Sequence, residues 1–309
     1  MNIYIHIGST KTGSSALQHF LNKNSNILSE HGIAYPDVGI VSDAHHLIAA
    51  TLHPMAFKMH SNVIPDNIDQ KLEFFYSRVE QFLTAARNVR THSAILSSEY
   101  LWGEFQPEFY AHWREAFKDC NLHLYAILRR PDQWVQSSYL QALKSGEGRA
   151  YADWYRQFKS SPTSGTDYYQ VIKRWADNLG IETVYIRTYE NLVSNNSLFN
   201  DLLKTINPHA NFFDKLTYSS RLVNPSPTQE MAELLLSINS SNIQVDHKKT
   251  LRKLILMNLK KRDIGELLEI LPLGERNAVA LAYKGVIGNI MREYIGSDQK
   301  RQFFKSWLA

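Results

Sequence analysis

Three places along this 309-residue chain combine lysine, arginine, serine, glycine and tyrosine in spacings that suit a phosphorylated ligand. The first is Gly8-Ser-Thr-Lys11-Thr12-Gly13-Ser14-Ser15, which follows an alternating stretch over residues 2–7. Strand, glycine-bounded loop and helix in succession aim backbone N–H groups and the positive end of a helix dipole at one point. The frame Gly8-x4-Gly13 is that of a nucleoside triphosphate loop, but Ser14 stands where lysine should follow the second glycine. The lysine, Lys11, comes two residues before that glycine instead. A triphosphate enzyme would lose its β/γ-phosphate lysine by this change, and no later apolar strand ends in a convincing Mg²⁺ carboxylate. The other reading of the same residues is a tight left-handed turn with a helix cap. The second place is Arg129, at the end of an apolar run over 122–128, with Ser137 eight residues on. A guanidinium fork and a hydroxyl together fit phosphate oxygens; the bland alternative is a solvated strand end. The third is Tyr189, after the strand-like run 183–187, either an aromatic platform or a core tyrosine with its hydroxyl bonded.

The stretch His6-Ile-Gly8-x-x-Lys11-Thr-Gly-Ser-Ser15-Ala-Leu-Gln18 resembles the 5′-phosphosulfate-binding loop of sulfotransferases that use 3′-phosphoadenosine 5′-phosphosulfate. The likeness is to the bacterial and glycan-directed branch, where Lys-Thr-Gly is followed by two Ser/Thr residues and a glutamine. Leu128-Arg129 through Ser137-Ser-Tyr139 resembles that family's 3′-phosphate site. Ile186-Arg-Thr-Tyr189-Glu-Asn-Leu192 resembles its strand end, where the aromatic residue packs on adenine. Thinner likeness runs through Asp167-Tyr168 to Trp175 and Gly180, Asn224-Pro-Ser226, and Asn289 to Tyr294, so that it covers most of the chain.

The resemblance implies a P-loop NTPase-like three-layer fold and in-line transfer of a sulfuryl group to a hydroxyl or amine. The acceptor would be a small molecule, a glycan or another cell-envelope component, and no metal would be needed. It gives Lys11 the leaving-group role and places Thr12, Gly13, Ser14 and Ser15 on the 5′-phosphate. It places Arg129 and Ser137 on the 3′-phosphate and Tyr189 on the base. Glu99, in Ser97-Ser98-Glu99, stands where small-molecule members carry their catalytic histidine and bacterial members often read Ser-Glu. It is the first candidate for the base, the alternative being a helix cap or an ion pair. His46, with His45 beside it, is the second, since neutral imidazole suits proton abstraction near pH 7. The Arg-Lys-Gly that finishes the 3′-phosphate site in cytosolic small-molecule members is missing near the C-terminus, so that part of the pocket is unassigned.

The elements that must position these residues follow from periodicity. Ile3, Ile5 and Ile7 alternate with Asn2, Tyr4 and His6 as in a strand, and Leu17, Phe20, Leu21, Ile27 and Leu28 then form a helical stripe. Short strands are expected at 32–36, 93–97, 122–128 and 183–187, and helices at 68–88, after Pro131 and at 167–179. Strands separated by helices predict an α/β class with a mostly parallel sheet. Beyond Asn224-Pro-Ser-Pro227 only helices are expected: 228–239, 247–260, 263–270, 275–294 and 298–308. The chain is therefore expected to be one domain, with a cofactor-binding core over 1–224 and a helical part over 225–309.

Composition bounds the function. The chain is 44% hydrophobic and 21% charged, which excludes collagen, low-complexity disorder and rod-like coiled coil. Its single cysteine, Cys120, excludes an intrachain disulfide framework and a paired-cysteine zinc or redox site. A net charge of +4, from 34 basic and 30 acidic residues, is too small and too spread to argue for nucleic acid. No signal sequence and no run of about 18 apolar residues is visible, so a cytoplasmic protein without a transmembrane segment is expected, compatible with peripheral membrane association. The basic segment 247–262 is either a solvated helix face or a patch that steers an anionic glycan or headgroup. The rivals to a sulfotransferase are a P-loop kinase of a small metabolite and a non-catalytic nucleotide- or glycan-binding relative.

Overall fold

The computed structural model describes residues 1–88, 91–103, 105–160, 165–218, 227–257, 269–296 and 307, and every structural statement concerns these. The first half runs β1 (Asn2–His6), α1 (Ser14–Lys23), α2 (Ser25–Glu30), β2 (Ile33–Ala34), α3 (His46–Thr51), α4 (Ile68–Asn88), β3 (Ser93–Ser97), α5 (Pro107–Ala116), β4 (Asn121–Leu128) and α6 (Pro131–Ser145). Then come α7 (Tyr151–Ser160), α8 (Tyr168–Leu179), β5 (Thr183–Thr188), α9 (Tyr189–Ser194) and α10 (Asp201–Ile206). The last part holds α11 (Gln229–Ser240), α12 (Val245–Met257), α13 (Leu273–Ala282) and α14 (Lys284–Glu293). The five strands form one sheet in the order β2-β3-β1-β4-β5, and every pairing is parallel.

Both faces of the sheet are covered, as a parallel sheet requires. Ile3, Ile5 and Ile7 of the β1 region join a core with Leu96, Leu124, Ala126, Trp134, Val135, Trp113 and Trp175. Tyr4, one residue out of phase, lies in a second core with Leu17, Phe20, Leu21, Leu28, Tyr125 and Ile127. The period-2 pattern of β1 thus sends alternate side chains into two helical layers. Each fully buried Leu, Ile or Phe stabilises such a layer by about 1.5–3 kcal/mol relative to exposure.

Local chemistry sets several element ends. Pro131 opens α6 where its missing N–H has no intrahelical partner. The Asp167 carboxylate accepts from the Gln170 N–H and caps α8, and Gly180 closes that helix with φ 66°. Asn239 of α11 donates to the carbonyls of Leu143 and Glu147 and so ties the C-terminal helices to the end of α6. Gln136 Oε1 accepts the N–H groups of Ile270 and Leu271, a second tie to the same helix.

Three differences from expectation concern the helices. The one stripe expected from Leu17 to Leu28 is shared by two helices, α1 and α2, which meet at Asn24. The single helix expected over 275–294 is two, α13 and α14, meeting at Tyr283. That tyrosine is buried, edge-on to Tyr168 at 5.4 Å, so packing on α8 turns the chain there. Helices α3, α5, α7, α9 and α10 had no counterpart in the periodicity reading. Asn224-Pro-Ser226, the 224/225 division, the 263–270 helix except for its last two residues, and all of the 298–308 helix except Trp307 lie outside the described residues.

Candidate active site

The chain lays β2 and β3 on one side of β1 and β4 and β5 on the other. In such a sheet a crevice opens beyond the carboxyl ends of the strands, at the point where the order reverses. The motif residues sit there: Lys11 to Ser15 after β1, Glu99 after β3, Arg129 after β4 and Tyr189 after β5.

The loop after β1 is shaped by its own small residues. Gly13 takes φ 79°, the left-handed region open to glycine, and no side chain caps α1 behind it. The first N–H groups of α1 therefore have no side-chain cap. Thr12 Oγ1 donates to Ser9 O at 2.5 Å and lies 3.2 Å from Ser14 Oγ, so both hydroxyls brace the loop from inside. Ser15 is half-buried at the second position of α1. A Cβ on Gly8 would lie 2.2 Å from Ser14 Oγ and 3.3 Å from His6 Cε1. Gly8→Ala is therefore expected to push Ser14 out of the loop, costing about 1–3 kcal/mol of stability. Chemical denaturation checks this; a variant within experimental error of wild type would show the loop to be loose.

Lys11 is a non-glycine residue at φ 68°. Its carbonyl accepts from Arg129 Nη1 at 2.9 Å, and its Nζ donates to Gln141 Oε1 at 2.9 Å. A left-handed residue is costly for a lysine and is held where the surroundings over-determine it. Burial lowers the Lys11 pKa to about 8, and the charges of Lys144 and Arg129 add to the fall while Glu99 opposes it.

Arg129 makes the contact between two motifs 118 residues apart. Its guanidinium also lies 5.2 Å from the Tyr189 ring centroid, and that ring packs against Gly13, where a Cβ would meet Tyr189 Cε2 at 3.3 Å. The three motifs thus converge on one point. Arg129 Nε is buried without a partner among the described residues, which leaves a charged donor free for an anion. Its neighbour Arg130 differs, being clamped by Asp132 through bonds of 2.7 and 2.9 Å. Ser137 is buried in the second turn of α6 and Gln141, one turn later, shares its face.

On the other side of β1, Glu99 Oε2 accepts from Gln18 Nε2 at 3.0 Å and lies 3.8 Å from His46 Nε2. His46 Nδ1 is 2.8 Å from Ser98 Oγ, and its ring stacks on Tyr100 at 4.2 Å. Burial lowers the His46 pKa, the Glu99 charge pushes it back, and the net is downward, so the ring is neutral near pH 7. His45 is a different case. Its Nδ1 accepts the Ser97 N–H and its Nε2 bonds Pro36 O, so both ring nitrogens hold the fold and it is no proton acceptor for the crevice.

Gln18 and Gln141 are the residues to which the sequence assigned no role. Gln18 was visible as the last residue of the loop motif. Gln141 had a signal only in its spacing of four from Ser137 on one helix. Among the described residues no three His, Cys, Asp or Glu side chains are grouped to hold a metal. No described helix is long and apolar enough to cross a membrane.

No family profile matches the chain, and no curated protein matches it by sequence. Distant likeness exists among solved structures. A sulfotransferase from Alicyclobacillus acidocaldarius is 17% identical with a TM-score of 0.46, over 81% of this chain and 95% of that one. A mouse sulfotransferase complexed with PAP is 15% identical with a TM-score of 0.35, over 99% and 82% of the two chains. Retinol dehydratase with androsterone and PAP is 12% identical with a TM-score of 0.34, over 95% and 81%.

Proposed function

We propose that the chain is a sulfotransferase that moves a sulfuryl group from 3′-phosphoadenosine 5′-phosphosulfate to a hydroxyl or amine acceptor. The observation that carries this is the bond between Arg129 and Lys11 O, with Tyr189 against both motifs. Two anion sites of different make meet at one crevice, as a donor phosphorylated at both ends of its ribose requires. The residues suit that donor: an uncapped helix N-terminus for the 5′-phosphate, and an unpartnered Arg129 Nε, with Ser137 on the helix that follows, for the 3′-phosphate.

In this reading Lys11 holds its ammonium at the oxygen that bridges sulfur and phosphorus and carries the charge that builds there. Gln141 fixes the Lys11 amine from the α6 side. Glu99 takes the acceptor proton, with Gln18 and the neutral His46 orienting the carboxylate. The single Arg129→Ala change is expected to weaken adenosine 3′,5′-bisphosphate by about 2–3 kcal/mol, roughly 30- to 150-fold in Kd. Titration calorimetry measures it.

Lys11 must keep its proton to act. Its pKa in the folded chain lies below the usual lysine range, so the proton is lost as pH rises through about 8. Donor capture, read as kcat/KM for the donor, is expected to fall above that pH, while kcat holds to higher pH because bound phosphate favours the charged lysine. A profile flat to pH 10 would remove Lys11 from the mechanism.

The rival kinase is separated by a thermal-shift titration. Adenosine 3′,5′-bisphosphate should stabilise the protein in the presence of EDTA, and Mg-ATP should not. The reverse pattern assigns the crevice to a triphosphate. A labelled-donor screen against pooled hydroxyl and amine acceptors, including glycans, separates the enzyme from a non-catalytic relative.

A further inference from the structure

We infer that His6 is a positioning residue for the proposed base, acting through Ser97 on the Gln18 amide that holds Glu99; this rests on the sulfotransferase reading. His6 and Ser97 are the last residues of β1 and β3 and stand opposite each other in the parallel register of that pair. Register partners send their side chains to the same face of a sheet. Here that brings His6 Nδ1 to 2.8 Å from Ser97 Oγ. Gln18, in the second turn of α1, carries the contact on. Its Nε2 lies 3.1 Å from Ser97 Oγ and 3.0 Å from Glu99 Oε2. His6, Ser97 and Gln18 are buried, and Glu99 is half-buried.

The valences of these groups give the chain a direction. An amide nitrogen has two hydrogens and accepts none, so Gln18 donates one to Ser97 and one to Glu99. Ser97 Oγ therefore offers Gln18 a lone pair, and its own single hydrogen goes elsewhere. His6 Nδ1 takes that hydrogen, and the ring carries its proton on Nε2. Burial lowers the His6 pKa to about 4, so the ring stays neutral and Nδ1 stays an acceptor near pH 7. Tyr35 also bonds this serine, but its hydroxyl hydrogen already goes to Asp43 O at 2.8 Å. Without His6 the serine hydrogen is free to turn to Gln18 Oε1. The amide then reverses, its oxygen meets the Glu99 carboxylate, and the bond that holds the base becomes a repulsion.

The His6 ring is fixed by its packing. It stands edge-on to Tyr125 at 5.8 Å, and a Cβ on Gly8 would meet its Cε1 at 3.3 Å. Its Nε2 is buried without a partner among the described residues. Buried polar groups are rarely left so. An apolar ring at this position would leave no nitrogen unpaired, which puts the task of the residue in Nδ1.

Ser97→Ala, His6→Phe and His6→Asn separate this role from packing. Ser97→Ala removes only the hydroxyl, since the serine holds His45 through its backbone. It and His6→Phe should each lower kcat about tenfold and leave adenosine 3′,5′-bisphosphate affinity within about twofold. His6→Asn puts an acceptor near the place of Nδ1 and should keep kcat within about threefold of wild type. In a Glu99→Gln background neither loss should appear, because no base remains to be positioned. Full activity of Ser97→Ala, equal losses in His6→Phe and His6→Asn, weakened nucleotide binding, or losses that persist in Glu99→Gln overturn the inference. NMR of the imidazole nitrogens reads the bonding without any acceptor. A neutral ring protonated on Nε2 is expected; a proton on Nδ1 gives the serine hydrogen to another partner and overturns it. A wild type with that Nε2 proton that binds no adenosine 3′,5′-bisphosphate defeats the sulfotransferase reading instead.

Discussion

Glu99→Gln is expected to lower kcat by about 10²- to 10⁴-fold and leave adenosine 3′,5′-bisphosphate affinity within about twofold. The substitution keeps size and shape, and the amide oxygen can still accept from Gln18 Nε2. What it removes is the ability to take a proton. In the proposed reading the carboxylate is held for this purpose: Gln18 reaches it from α1, and His46, braced by Ser98 and Tyr100, approaches to 3.8 Å. His46→Gln is expected to cost less, about tenfold, because it removes an orienting partner and not the acceptor of the proton. Steady-state rates with an acceptor from the donor screen check both. A Glu99→Gln enzyme of full activity beside an inactive His46→Gln enzyme would exchange the two roles.

Lys11→Met is expected to lower kcat by about 10²- to 10³-fold, equivalent to about 3–4 kcal/mol of lost leaving-group stabilisation. Methionine keeps the length of the side chain and removes the charge. Loss of the bond to Gln141 leaves α6 intact, since that residue is half-buried and open to water. The effect differs from that of Glu99→Gln in one readable way. Leaving-group help is needed whichever nucleophile attacks, so slow transfer to water should fall in Lys11→Met along with transfer to the acceptor. Glu99→Gln should spare more of the water reaction. If Lys11→Met changes only KM, the lysine binds the donor equally in ground and transition states.

The strand framework was legible because β1, β3, β4 and β5 are short apolar runs bounded by turn residues, and because β1 alternates. The candidate site residues stand in the sequence as local motifs at strand ends. Their meeting was not legible there, because the bond from Arg129 to Lys11 O and the Tyr189 contacts depend on the order of strands in the sheet. The missing helices each have a reason. α3, α9 and α10 are six residues long, too short for a period to repeat. α7 carries Tyr151, Trp154, Tyr155 and Phe158 at helical spacing, an apolar stripe that the sequence holds and the periodicity reading leaves out. α5 carries Phe109, Tyr110 and Trp113 toward the core behind Pro107 at its first position, a pattern that was present and passed over. The exclusion of His45 could not be read either: adjacent histidines differ only in what β3 and Pro36 offer them.

The central claim is that Arg129 and the Lys11 loop form one site for a nucleotide phosphorylated at both ends of its ribose. The most direct measurement is calorimetry, in EDTA, of adenosine 3′,5′-bisphosphate and adenosine 5′-monophosphate with the wild-type protein and with Arg129→Ala. The wild type should prefer the bisphosphate by at least about 30-fold, and the preference should nearly vanish in the variant, whose loop still holds a 5′-phosphate. Equal affinity of the wild type for the two nucleotides, or a preference that survives loss of Arg129, would contradict it.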